Sequence, residues 1–259
     1  MYVAELSFSV IADTDFTRAE IAIRHYIEAL IFNGQVLGRE FPTAWQEERF
    51  NCRIVVPNTD ALLPKHHSSK ASIALNKLAA AGLGYPKLKI MGMDLMSQHT
   101  DPCAAPEGYI LYSRFSDTCS PLRCAEHMAP IPLYQLKTST DDFEALIRWQ
   151  LQYQALDEIQ MQQTRVLTKT AERSLQQLNS QLNRQGRALA KQLERSTQVP
   201  VYYALYSGTS TDCESEPSKC CPSCHSAWKL AEPLAELFDF QCQGCRLVSN
   251  IAWECQSPS

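Results

Sequence analysis

The chain has 259 residues, 45% of them hydrophobic and 20% charged, with a formal net charge of −4. That length suffices for one large domain or two to three small ones. The balance excludes a protein that is basic throughout, and no apolar run approaches the ~18 residues that a membrane span requires.

The opening stretch, MYVAELSFSVIADTDF, lacks a basic leader and alternates apolar with polar residues, as a half-buried strand does rather than a signal peptide. A soluble, cytoplasmic protein is therefore expected. The eleven cysteines are an odd number without an export signal, which argues for metal or redox chemistry over a disulfide framework.

Residues 1–139 read as a mixed α/β domain. Tyr2, Ala4, Leu6, Phe8 and Val10 fall on one strand face. Phe16 opens a helix, with Thr17 and Glu20 as a capping box, and Asn33-Gly34 stops it. FNCRIVV alternates again, with Phe50, Cys52, Ile54 and Val56 on one side. SSKASIALNKLAAAG is a second helix ending at Gly82. KLKIM and GYILYSRF are further strands. This order suggests a ferredoxin-like α+β sandwich with helices on one face of a small sheet.

Residues 140–206 read as a helical arm and a return strand. A continuous helix over 140–197 would be about 85 Å long, so a break is expected near Thr164. The second stretch, Thr164 to Thr197, carries Leu175, Leu178, Leu182, Leu189 and Leu193 on one stripe. VPVYYALY then reads as a strand. Residues 207–219, SGTSTDCESEPSK, are polar and read as a linker. Residues 220–259 form a cysteine-rich tail.

In that tail, Cys221-Pro-Ser-Cys224 and Cys242-Gln-Gly-Cys245 are matched C-x2-C pairs with seventeen residues between them. The spacing is that of four-cysteine zinc sites: each tight turn aims two thiolates at one point, and two turns complete a tetrahedron. Cys220 would give C-x3-C and is set aside, as are Cys213 and Cys255. Zinc knuckles often have Gly after the second Cys, where φ is positive; His225 and Arg246 stand there instead, which departs from the pattern, and His tolerates that region better than Arg does. Four thiolates close the coordination shell, so one structural Zn2+ is expected rather than a catalytic one. The alternative is a redox dithiol or plain buried cysteines.

A second set, Cys103, Cys119, Cys124 and His127, includes Cys124-Ala-Glu-His127 at C-x2-H spacing. As a set it matches no zinc spacing. Buried cysteines beside an ordinary histidine, a second metal site and a Cys/His nucleophilic pair all stay open, although no third orienting group stands out in the sequence. Phosphate loops, H-E-x-x-H and G-x-S-x-G are absent. No catalytic residues are assigned.

On the arm, Arg165, Lys169, Arg173, Arg184, Arg187, Lys191 and Arg195 fall within about a third of a helical wheel, opposite the leucines. Two readings stand: the solvated face of an amphipathic helix, or a surface that tracks phosphates. No aromatic residues interleave the stripe, so base stacking is not indicated. Residues 201–259 carry three basic and seven acidic side chains. Such a tail suits protein contacts better than phosphate.

CPSCHSAW, FDFQCQGCRLVSNIAW, VPVYYALY and SPLRCAEHMAPIPLYQL resemble a bacterial family of uncharacterised zinc-ribbon-containing proteins, described as candidate nucleic-acid binders. The resemblance covers nearly the whole chain. It implies ribbon ligands at Cys221, Cys224, Cys242 and Cys245 and adds no independent support for an activity. The expectation is thus a non-enzymatic α+β protein with an N-terminal ferredoxin-like domain, a central long helix or helical hairpin, and a C-terminal zinc ribbon. It would bind nucleic acid through the basic helix face. The alternatives are a protein–protein adaptor docking through the acidic ribbon, and an enzyme using the Cys119/Cys124/His127 region.

Overall fold

The structure is a computed structural model that describes residues 1–38, 40–136, 138, 141–162 and 166–256. The chain is α+β and forms two compact units. The first comprises Met1–Thr100, Thr118–Ser120 and Pro130–Glu144; the second comprises Asp101–Asp117, Pro121–Ala129 and Ala145–Ser259.

In the first unit, β1 (Tyr2–Ser9), α1 (Phe16–Phe32), β2 (Thr43–Gln46), β3 (Arg49–Val56), α2 (Ser69–Ala80) and β4 (Lys87–Met93) follow in chain order. The sheet is antiparallel in the order β2-β3-β1-β4. That order and connectivity are the split β-α-β plan called ferredoxin-like. Alternation places Ala4, Leu6 and Phe8 of β1 and Phe50, Cys52, Ile54 and Val56 of β3 in one core with Ile23, Ile27 and Leu30 of α1 and Leu78 of α2.

Strand β2 carries no apolar alternation and is exposed along its length, so the sequence does not mark it. The cap of α1 is Asp15, not Thr17: its carboxylate accepts from the Arg18 backbone N–H at 2.7 Å. A carboxylate at that position also favours the positive end of the helix dipole. Helix α2 is capped by Ser68 and ends before Gly82, whose φ of 78° suits glycine.

The second unit holds β5 (Tyr109–Leu111), β6 (Leu122–Cys124), α3 (Glu144–Met161, its first residue excepted), α4 (Thr168–Gln176), α5 (Gln181–Thr197), β7 (Val201–Leu205), β8 (Lys229–Leu234), β9 (Phe238–Cys242) and β10 (Leu247–Ser249). All six strands make one sheet, in the order β6-β5-β7-β10-β9-β8. GYILYS, assigned from the sequence to the 1–139 region, therefore pairs here instead. The tail also joins this sheet, through parallel pairing of β10 with β7.

All five residues of β7 are buried, as a central strand covered on both faces requires. Tyr202 and Ala204 pack with Ile110, Phe238 and Val248. Tyr203 points the other way, its ring against Trp149 of α3 and its hydroxyl donating to Asn183 Oδ1 of α5 at 2.6 Å.

The sequence predicts one helix from Thr164 to Thr197; the structure shows two, α4 and α5, broken at 177–180. Ser180 supplies the cause. Its Oγ caps α5 by accepting from Asn183 N–H at 3.1 Å and donates to Ser174 O at 2.7 Å. The Asn183 amide then donates to Leu175 O and Gln177 O, both at 2.8 Å, satisfying carbonyls that the broken helix leaves open. The expected break near Thr164 lies at residues partly outside those described; α3 ends at Met161 and α4 starts at Thr168.

Residues 207–219 are packed against the end of the chain. Glu216 Oε1 accepts from the Ala252 N–H at 2.9 Å and from Lys219 Nζ at 2.5 Å, and Lys219 Nζ also donates to Asn250 O at 3.1 Å. Backbone bonds from Trp253 to Ser207 and from Glu254 to Gly208 run alongside. They bring the Cα atoms of Cys213 and Cys255 to 5.2 Å, and these two cysteines are joined as a disulfide. The sequence leaves both outside any site because 42 residues separate them.

Gly186 of α5 sits where helix meets strand. A Cβ there would lie 2.2 Å from Tyr203 Cε2 and 2.7 Å from Trp149 Nε1. In an open helix, Gly→Ala stabilises by about 1 kcal/mol. Here overpacking reverses the sign, at a cost of roughly 1–3 kcal/mol. Gly186→Ala should lower the thermal midpoint; a raised midpoint would contradict this packing.

Candidate metal centre

Strands β9 and β10 meet at a tight turn. Cys242, the last residue of β9, pairs with Leu247, the first of β10. Between them Cys245 turns its thiol back towards Cys242. The other turn precedes β8: Cys221 N–H donates to Ser226 O and His225 N–H donates to Cys221 O, both at 2.9 Å. The four Sγ atoms of Cys221, Cys224, Cys242 and Cys245 all lie within 4.8 Å of one another. Cys224 and Cys242 are 3.6 Å apart, close to the ~3.8 Å edge of a tetrahedron with 2.3 Å metal–sulfur bonds. This cluster can hold a metal ion. Cys220 stays exposed and outside it.

The residues that follow each second cysteine have positive φ, 60° at His225 and 52° at Arg246. At Arg246 the strain is offset by its side chain. Nε donates to both carboxylate oxygens of Glu194 at 3.1 and 3.0 Å, Nη1 donates to Gln243 O at 3.1 Å, and the guanidinium lies 5.5 Å from the centre of the Tyr202 ring. Glu194 also accepts from Val201 N–H at 3.0 Å. One carboxylate of α5 thus ties the knuckle to the start of β7. Under the other knuckle, Trp228 stacks on Phe240 at 5.2 Å and donates to Lys219 O at 2.9 Å.

The thiols are not equivalent. Hydrogen bonds from the Ser226 side chain and backbone hold Cys224 down at about 6. Burial pushes Cys242 up to about 12 and raises Cys221. Metal binding must therefore expel protons from the buried pair.

Of the second set, Cys124 and His127 come together with Asp101, which the sequence did not suggest; their ligand atoms also lie within 4.8 Å of one another. Cys103 is in the same unit but not in that group, and Cys119 belongs to the first unit, where its thiol reaches Gln98 Oε1 at 3.9 Å.

Arg165 of the basic stripe lies outside the described residues. Lys169 and Arg173 are on α4, and Arg184, Arg187, Lys191 and Arg195 on α5, so no straight helix carries the row. Lys169, Arg173, Arg184, Lys191 and Arg195 are exposed. Arg187 is half-buried and donates to Leu178 O at 3.4 Å. Leu175, Leu182 and Leu193 are buried opposite.

A protein of Haemophilus influenzae described as "uncharacterized" is 34% identical over 259 residues, covering 98% of this chain and 99% of its own. The chain belongs to that protein's family. A second Haemophilus influenzae protein of the same description is 38% identical over 173 residues, covering 66% of this chain and 85% of its own. Family models, each described as a domain of unknown function, match residues 1–92 (DUF8589), 103–206 (DUF2310) and 210–255 (DUF8594). A crystal structure of a putative antibiotic biosynthesis monooxygenase from Deinococcus radiodurans aligns with 36% of this chain and 93% of its own at 10% identity, with a TM-score of 0.26, too low to carry an argument. The descriptions of these two relatives and three family models name no metal, partner or reaction. Among the described residues no helix is long and apolar enough to cross a membrane.

The second unit also contains a cavity of about 480 Å³ lined by Tyr112, Phe115, Tyr153, Tyr206 and Trp253, with Asp157 on its wall. Asp157 accepts from the Phe115 N–H at 2.8 Å, and burial raises its pKa. Nothing in the sequence marks this carboxylate, because it sits in a run of polar helix residues.

Calorimetric metal titrations in buffers of different ionisation enthalpy should show more than one proton released per metal near neutral pH, with affinity falling as pH falls. Proton-neutral binding would contradict the thiol environment described. At Asp157 the folded pKa exceeds the unfolded one, so the ionised carboxylate costs stability at neutral pH and that cost disappears as pH falls through the folded pKa. Asp157→Asn, which keeps the acceptor for Phe115, should raise the denaturation midpoint at neutral pH and lose that advantage in acid.

Proposed function

We propose that the chain is a zinc-stabilised binding protein, with one structural Zn2+ at Cys221, Cys224, Cys242 and Cys245. The convergence of these four sulfurs carries the reading. Thiolates at this spacing favour zinc among common metals, and a full sulfur shell leaves no position for substrate. The metal's work would be mechanical: it would fasten β8, β9 and β10 to the end of the sheet. No catalytic role is proposed for it.

The proposed ligand of the protein is nucleic acid, held by its phosphates. What supports this is the row Arg184, Lys191 and Arg195 on α5, all exposed, which lie within about 40° of arc and a rise of about 16 Å on an ideal helix. Among the described residues they have no ion-pair partner, whereas Glu194 on the neighbouring face is engaged by Arg246. Lys169 and Arg173 of α4 form an i, i+4 pair that would extend the basic surface. Arg187 contributes little in this reading, because it is turned towards Leu178.

A protein–protein adaptor is the second reading. It is favoured by β8, the outermost and largely exposed strand of the sheet, in an acidic segment. Strand addition at such an edge is a common recognition mode.

Replacing Arg184, Lys191 and Arg195 together with Ala should weaken binding to single- or double-stranded nucleic acid. It should also flatten the dependence of log K on log salt by up to about 0.9 for each phosphate that is no longer neutralised. Fluorescence anisotropy across a salt series measures both. An unchanged affinity and slope would remove the helix face from the mechanism. A partner retained through nuclease treatment would then favour the adaptor.

A further inference from the structure

Asp101 lies on the loop before β5, Cys124 ends β6, and His127 lies on the turn that follows β6. Cys124 Sγ is 3.6 Å from His127 Nδ1, and Asp101 Oδ2 is 3.1 Å from the same nitrogen. Both contacts fall on Nδ1, which excludes the relay of a catalytic triad, where base and orienter engage opposite ring nitrogens. The ligand atoms of all three side chains lie within 4.8 Å of one another, so one cation at the point of convergence can engage them together.

The distances fit such a cation. For bonds of about 2.3 Å to sulfur and 2.0–2.1 Å to nitrogen or oxygen, a tetrahedron has an N···S edge of about 3.6 Å and an N···O edge of about 3.4 Å. The observed separations are 3.6 and 3.1 Å. The same comparison at Cys224 and Cys242 agrees equally well, at 3.6 Å.

The backbone supplies an independent observation. Cys124 N–H donates to Ala129 O at 3.0 Å, Met128 N–H donates to Cys124 O at 2.9 Å, and Met128 has φ of 54°. The Cys221 turn has the same bonds at the same offsets, to Ser226 and from His225, with φ of 60° at the fifth residue. The turn at Cys242 shares the pairing of first with sixth residue and the positive φ at the fifth. Cys124-Ala-Glu-His127 is thus folded as a third knuckle, with imidazole in place of the second thiolate. The Asp101 side chain is fully buried and its other oxygen accepts from Cys103 N–H at 2.7 Å, which fixes the carboxylate's aim.

We propose that Asp101, Cys124 and His127 form a second, three-ligand site for a borderline divalent cation, of the zinc class. The sulfur, nitrogen and oxygen set suits that class. One thiolate and one carboxylate neutralise the ion, unlike the four thiolates of the tail. The half-exposed His127 ring leaves the fourth tetrahedral position towards solvent for water or an incoming donor.

The test uses the full chain, stripped of metal under mild reductant and titrated with Co2+, whose absorption separates tetrathiolate from mixed coordination. The wild type should bind two equivalents, the second without tetrathiolate character. His127→Ala and, independently, Asp101→Asn should each bind one equivalent with the tetrathiolate spectrum intact, which also shows that the variant is folded. Cys242→Ser should lose the tetrathiolate spectrum and keep the mixed one. A wild type that saturates at one equivalent, or folded His127→Ala and Asp101→Asn variants that still bind two, would overturn the proposal while leaving the tail cluster untouched.

Discussion

The second unit depends on how closely α5 approaches β7. Gly186 lets the Tyr203 and Trp149 rings fill the space a side chain would take, and Asn183 receives the Tyr203 hydroxyl within it. A buried hydroxyl needs such a partner, since leaving it unpaired costs about 1–3 kcal/mol. The same Asn183 closes the carbonyls opened by the break between α4 and α5. One residue therefore couples a helix break, a helix–strand contact and a buried tyrosine. The break is part of the fold because the amide that heals it also seats the strand.

From β7 the order passes outward. Its parallel pairing with β10 fixes the register Leu247 to Tyr203, and β10 in turn sets Leu247 opposite Cys242. The knuckle is thereby positioned by a strand buried on both faces. Glu194 reinforces it from α5, holding Arg246 in a backbone conformation that arginine does not favour. Together these contacts make the cysteine cluster an extension of the sheet. The proposed zinc would then secure the sheet's outer strands, where fewer apolar contacts are available, rather than fold an isolated module.

Much of the local structure was legible. Alternation marked β1 and β3, the apolar run VPVYYALY marked β7, and the stops at Asn33-Gly34 and Gly82 marked the ends of α1 and α2. Two C-x2-C pairs at seventeen residues pointed to the four sulfurs that the fold brings together. His225 and Arg246, which depart from the glycine common after the second cysteine of a knuckle, nonetheless adopt positive φ. Other features left no trace. Strand β2 is exposed and lacks alternation. The break at Ser180 falls inside a leucine pattern that continues across it, because the periodicity of buried residues records which faces are covered and not whether the backbone is continuous.

The residues whose chemistry is written in spacing were therefore determined by sequence: Cys221, Cys224, Cys242 and Cys245, each within a turn of its neighbour. What only the tertiary structure decided is who meets whom across long separations. Asp101 reaches His127 across 26 residues because the turn after β6 returns to the loop before β5. Cys213 meets Cys255 because Glu216 and Asn250 draw their segments together. β5 leaves the N-terminal strands for the second sheet because parallel pairing with β7 buries all three of its residues. Local spacing encodes turns, since a turn closes within a few bonds. Partners far apart in the chain are chosen by burial and hydrogen-bond satisfaction of the whole fold, which no short segment contains.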